Sequence, residues 1–191
     1  PSRQYSTLHR SKWNLSDQWL LQLGGLLQHA TVNSDQLSTD AQQTQVEPFS
    51  SLSWYPLPKM QLSSNHRWLI IEGKTKWIPS AMIELYQPLG LQFVRFSASW
   101  SSGFRYPTLN DRYWIPGGNT ELTPETSQQW ESRLIWSKSP YQLDFAVFDI
   151  RTQDQIVWLP QENNLWSPVN VRSTQNRGIE VTSRVKRQIG K

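Results

Sequence analysis

Cysteine is missing from the 191-residue chain. That removes disulfides, thiolate metal sites and cysteine nucleophiles. Charge is sparse, at 18% of residues, and the apolar fraction is only 37% with a mean hydropathy of −0.61. No apolar run approaches the roughly 18 residues that a spanning helix needs, which excludes a helical membrane protein. A membrane barrel is not excluded, because barrel strands alternate and score as hydrophilic. Histidine is rare: His9, His29 and His66 are scattered without metal-ligand spacing. Neither HExxH nor GxSxG occurs. Asp144 and Asp149 form no acid–base pair, and Gly117-Gly118 lacks the lysine and following helix of a phosphate loop. Asn14-Leu15-Ser16 fits a glycosylation sequon, a match that is common by chance. The chain is not expected to be an enzyme, and no cofactor or metal is expected.

What is present is uncharged polarity from Ser, Gln, Asn and Thr, together with 11 tryptophans. The net charge of +4 and a pI near 9.5 make the chain mildly basic. The one dense basic run, Arg184-Val185-Lys186-Arg187, alternates like one face of a strand. It is not the basic stripe that nucleic acid requires, so no nucleic-acid partner is expected.

The apolar period is two. Trp19, Leu21, Leu23 and Leu27 share a parity. So do Val94, Phe96, Ala98 and Trp100; Tyr141, Leu143, Phe145 and Val147; and Ile179, Val181 and Val185. Strict alternation predicts strands with one apolar and one polar face. Gly24-Gly25 argues against a helix over 20–27. Turn-forming residues divide the chain into about nine strands of roughly 10–14 residues. Short turns are expected at 14–17, 56–59, 87–90 and 137–140. The alternate connections fall at 33–45, 72–75, 103–124 and 152–175, so every long loop lies at one end. Long loops at one end and short turns at the other characterise outer-membrane barrels. Trp19, Trp54, Tyr55, Trp77, Tyr86, Trp100, Trp130, Trp136 and Tyr141 fall near expected strand ends, where membrane interfaces collect Trp and Tyr.

Four blocks sharpen this reading. They are Ser101-Ser102-Gly103-Phe104-Arg105-Tyr106-Pro107-Thr108-Leu109; Gly118-Asn119-Thr120-Glu121-Leu122-Thr123-Pro124-Glu125, leading to Trp130-Glu131; Phe148 to Ile156; and Asn170-Val171 followed by Arg177-Gly178-Ile179-Glu180. In order and spacing, over about residues 91–187, they resemble the barrel of TonB-dependent outer-membrane receptors. The resemblance implies an all-β, antiparallel, up-and-down transmembrane barrel, of which this chain is a partial barrel of about nine strands. Residues 1–191 then read as one segment of the barrel domain, towards its C-terminal part. No plug domain, TonB box or closing aromatic strand is visible before the end at Gly190-Lys191.

The resemblance further implies a bacterial outer-membrane location. Expected partners are outer-membrane lipid, a small-molecule nutrient such as an iron-siderophore or cobalamin, and the TonB-ExbB-ExbD complex acting through the missing plug. Gly103, Phe104, Arg105, Pro107, Asn119, Leu122, Pro124, Glu125, Glu131, Asn170, Gly178 and Glu180 are expected to be mainly structural. Pro116-Gly117-Gly118-Asn119 should turn the chain with positive φ. Gln129, Glu131 and Arg133 should face the lumen, with Trp130, Leu134 and Trp136 facing the bilayer. Arg112, Tyr113 and Trp114 on one long loop, with Trp158 and Trp166 on another, suit a planar anionic ligand. The alternatives are a soluble Trp-rich β-sandwich that binds carbohydrate, another outer-membrane barrel such as a porin, and a basic nucleic-acid-binding β domain.

Overall fold

A computed structural model describes residues 2–162 and 164–186. Arg187 of the basic run and the chain end at Gly190-Lys191 lie outside the described residues. The alternating segments form β1 (Ser2–Asn14), β2 (Trp19–Val32), β3 (Ala41–Leu57), β4 (Met60–Ile71), β5 (Lys74–Tyr86), β6 (Val94–Arg105), β7 (Glu125–Lys138), β8 (Tyr141–Pro160) and β9 (Trp166–Val185). Each pairs antiparallel with the next, giving one nine-stranded sheet in sequence order. Among the described residues no second sheet packs against it, which removes the sandwich reading. Among the described residues helix is confined to a 3₁₀ turn at Pro88–Gly90 and to α1 (Leu109–Tyr113).

Strand lengths depart from expectation. β3 has 17 residues, and β8 and β9 have 20 each. The expected loop 33–45 shrinks to 33–40, and the loop expected from 103 begins only after Arg105. Most of 152–175 is no loop at all, since β8 and β9 remain laddered up to Pro160–Trp166. The cause is physical. Backbone hydrogen bonding continues through pairs such as Thr152–Thr174 and Gln153–Ser173, where both faces are polar and no alternation survives to be read. The long loops 33–40 and 106–124 still share one end. The turn 72–73 at that end is a tight hairpin with positive φ at Glu72 (47°) and Gly73 (73°), as a two-residue turn of the primed type requires.

The register sorts the side chains. One row runs Trp19–Trp54–Leu62–Ile83–Ala98–Ser132–Val147–Ile179 across eight strands. The next row towards the loop end holds Leu21, Leu52, Ser64, Ala81, Trp100 and Trp130. This face is apolar and largely uncovered: Trp130, Leu134, Phe145 and Val181 are all exposed. The opposite face carries the ion pairs Arg67–Glu47, Arg95–Glu84, Arg133–Glu131 and Arg133–Asp144. Trp100 and Trp130 lie well inside their strands rather than at the ends, and Tyr86 shares the polar side with Glu84, to which its hydroxyl donates.

Near the loop end the sheet parts. The β5–β6 ladder stops at Ser80–Ser101, while β6–β7 continues to Arg105–Glu125 and β4–β5 to Ile71–Lys74. Pro79 has no N–H to extend the ladder. Phe104 and Tyr106 pack there against buried Leu69, Ile71 and Ile78, a small hydrophobic core.

Candidate functional site

The 106–124 segment is held down by charge and hydrogen bonds over the loop end of the polar face. Its first anchor is α1. Thr108 and Asp111 form a capping box: the Thr108 hydroxyl accepts from the Asp111 N–H, and Asp111 accepts from the Thr108 N–H. The buried Asp111 carboxylate also accepts from the Trp158 Nε1–H at 3.0 Å and from Arg105 at 3.1 Å. Arg105 spans to Glu125 at 2.8 Å, and Glu125 accepts the Ile156 N–H at 2.6 Å. One arginine on β6 thereby ties the helix to β7, and both to β8.

Burial pushes the Asp111 carboxyl up. The Thr108 N–H, the Trp158 indole, the Thr108 hydroxyl and the Arg105 charge together outweigh it and hold the acid below its ordinary value. Glu72 behaves likewise. Burial raises it, but the Tyr106 hydroxyl at 2.7 Å, the Arg112 guanidinium and the Lys74 charge bring it down.

A second set of anchors reaches sideways. Ser38 donates its N–H to the Tyr113 carbonyl at 2.8 Å, Ile115 donates to Gln36 at 2.7 Å, and Trp114 forms a bridge with Leu37. On the other side, Asn119 donates to the Pro168 carbonyl at 3.1 Å, and Asn170 pins both the N–H and the carbonyl of Thr123. The segment therefore links the loop preceding β3 to β9 across the mouth.

The expected positive φ at Gly117, Gly118 and Asn119 is not observed. The glycines are needed for close approach instead. A Cβ on Gly117 would collide with the Trp166 carbonyl, and one on Gly118 would lie 2.5 Å from the Trp114 nitrogen.

The five candidate ligand residues gather at this mouth but are not free alike. Arg112 pairs with Glu72 and lies over the rings of Tyr113 (4.9 Å) and Tyr106 (5.8 Å). Trp158 and Trp166 stand on β8 and β9, not on a long loop. Trp158 is committed to Asp111, whereas the Trp166 residue is 60% exposed.

Among the motif residues, Pro107 is fully buried, Leu122 and Pro124 are half-buried, and Pro124 immediately precedes β7. Gly103 lies under the Ser127 side chain, and Phe148 covers Gly178. Glu131 pairs with Arg133, and Glu180 is exposed opposite Ala146. The sequence reading missed Glu72, Thr108 and Asp111. The Thr-x-x-Asp spacing before α1 was the available signal for two of them.

Comparison with known proteins agrees with this geometry. The family model described as TonB dependent receptor-like, beta-barrel, matches residues 9–188. The vitamin B12 transporter BtuB of Vibrio vulnificus is 38% identical over 91 residues, which is 47% of this chain and 15% of that protein. The vitamin B12 transporter BtuB of Photobacterium profundum is 34% identical over 96 residues, 47% of this chain and 16% of its own length. Among solved structures, the siderophore receptor PirA of Pseudomonas aeruginosa superposes with a TM-score of 0.79 at 16% identity, covering 94% of this chain and 36% of that one. The matched stretches thus span about a sixth of the curated relatives. The nine-stranded, two-faced sheet, its pinned mouth segment and the match over 9–188 place the chain in the TonB-dependent receptor family, as part of its outer-membrane β-barrel.

Proposed function

We propose that residues 1–191 form a segment of barrel wall and outer mouth in a receptor for TonB-coupled uptake of a cobalamin-type nutrient. The observation that carries the reading is the 38% identity to a protein named as a vitamin B12 transporter. The siderophore-receptor structures share the fold at identities too low to argue for a ligand. In this reading the plug and the closing strand come from sequence beyond this segment. The complete barrel has roughly 22 strands, in the size class of the plugged outer-membrane transporters. Energy reaches the plug from the TonB-ExbB-ExbD complex. The segment itself performs no bond chemistry, in keeping with a family of receptors and transporters.

The five mouth residues divide under this proposal. Arg112, Tyr113, Trp114 and Trp158 are engaged by neighbours and shape the rim. Trp166 presents its exposed ring to a planar ligand. The test is equilibrium binding of cyanocobalamin and of a ferric siderophore to the complete receptor. Saturable cyanocobalamin binding, weakened in Trp166→Ala, is expected. Binding of the siderophore with none of cyanocobalamin would reverse the assignment.

A further inference from the structure

The short turns of an outer-membrane barrel open on the periplasm, and here that end is basic. Lys12, Lys59, Arg95, Lys138, Arg184 and Lys186 stand in these turns or at the strand ends beside them, against Asp17 and Glu84. Glu84 is already engaged by Arg95 at 3.3 Å and by the Tyr86 hydroxyl at 2.9 Å. Apolar surface gathers at one place on this rim, the connection 87–93 between β5 and β6. Leu89 is 98% exposed there, and Leu91 and Phe93 are exposed as well.

The connection is not slack. Gln87 (φ 53°), Leu89 (53°) and Phe93 (70°) hold left-handed backbone, three of the six non-glycine residues that do so among the described residues. That conformation is costly for a bulky side chain and persists only where the surroundings impose it. Here they do. The Gln87 N–H donates to the Val94 carbonyl at 2.8 Å, the Leu91 N–H to the Pro88 carbonyl at 3.0 Å, and the Ser137 N–H to the Phe93 carbonyl at 2.8 Å. Lys59 donates its Nζ to the Gln87 side chain, and the Lys138 Nζ lies 5.6 Å from the centre of the Phe93 ring. Among the described residues neither lysine pairs with a carboxylate. Leu89 is therefore a fixed apolar knob fenced by cations that lack an acid. Fluid lipid gains nothing from a fixed pose, whereas a folded protein surface does. We infer that the 87–93 connection is a docking site for a folded periplasmic protein, whose apolar pocket receives Leu89 and whose rim turns carboxylates towards Lys59 and Lys138. The buried anchor supplies most of the affinity, and the rim charges steer the encounter.

The test uses the complete receptor in cells, with the photocrosslinker p-benzoylphenylalanine in place of Leu89 and, as a control, in place of Ser16 in another turn. One discrete protein adduct is expected from position 89 and none from the control. The adduct is identified by mass spectrometry, and the protein found is purified and titrated against the receptor in nanodiscs. Binding should weaken as salt is raised, and by roughly tenfold or more in Leu89→Gly. Glycine suits the left-handed backbone at that position, so a merely structural Leu89 would leave binding intact and the barrel no less stable. K59E/K138E should weaken binding as well, with K59Q/K138Q intermediate. A phospholipid adduct alone, or no adduct, would overturn the proposal. So would a partner whose binding survives Leu89→Gly or is not weakened by K59E/K138E. Cyanocobalamin binding is a separate readout, so failure here leaves the uptake proposal standing.

Discussion

Asp111 carries the mouth more than any other side chain, because four donors converge on its two oxygens. Replacement by alanine leaves the Trp158 N–H, the Thr108 N–H and one arm of Arg105 without their acceptor. A buried donor stripped of its partner costs about 1–3 kcal/mol. A loss in that range is expected in urea unfolding of the receptor in vesicles, and Trp158→Phe should cost the smaller share due to one hydrogen bond. Acid should act through the same group. The folded carboxyl lies below its ordinary value, so the unfolded state binds more protons as pH falls. The stabilisation is complete above the ordinary carboxylate range, about pH 4, and is lost as pH falls through the lower folded value. Cleavage of the 106–124 segment by an acid-active protease should therefore rise below about pH 4. In Asp111→Asn the segment should already be cut more readily by a neutral protease at neutral pH, and the response of the acid-active protease to falling pH should be flatter. An unchanged acid profile in that variant would remove Asp111 from the mechanism.

At the scale of elements, the legible parts of the sequence were those where one face is apolar. Trp19, Leu21, Leu23 and Leu27 announced β2, and Val94 to Trp100 announced β6, because alternation needs contrast between faces. The upper halves of β8 and β9 carry polar residues on both sides and read as loop, although their backbone ladder is unbroken. The mouth segment was recognised by its motif, but its architecture was not. A five-residue helix shows no periodicity, and the partners of Glu125 and Asn119 at Ile156 and Pro168 lie 31 and 49 positions away. Gly117-Gly118 was legible as punctuation and misread in cause. Their backbone approaches Trp166 and Trp114 too closely for a side chain, and φ is not positive. Gly118→Ala should therefore lift the segment away from its anchors. Faster hydrogen exchange at Asn119, whose N–H donates to the Asp111 carbonyl at 2.8 Å, is the expected sign. Gly73→Ala should instead cost only the strain of its 73° φ, about 1 kcal/mol, and leave the mouth's exchange unchanged.

The whole molecule is built inside out relative to a soluble domain. Its one hydrophobic cluster among the described residues is small, while Trp130, Leu134, Phe145, Ile179 and Val181 stand exposed on one continuous face. A monomer in water does not leave a patch of that extent uncovered; a bilayer covers it. The low mean hydropathy that first suggested a polar protein is the average of two unlike faces. The consequence is a strong asymmetry between neighbouring positions. Leu134 and Arg133 are adjacent in sequence, yet one faces lipid and the other pairs with Glu131 and Asp144 on the polar side. Placing arginine on the lipid face near the bilayer midplane costs about 2–4 kcal/mol, whereas substitutions on the lumen face are far less costly. Leu134→Arg should lower the folding free energy of the receptor in vesicles by that amount. Ser97→Arg, which stands between Glu84 and Arg133 in the register of the lumen face, should cost much less, because a carboxylate flanks it as well as a guanidinium and the face is polar. Equal losses for the two variants, or a larger one for Ser97→Arg, would mean that the assignment of lipid and lumen faces is inverted.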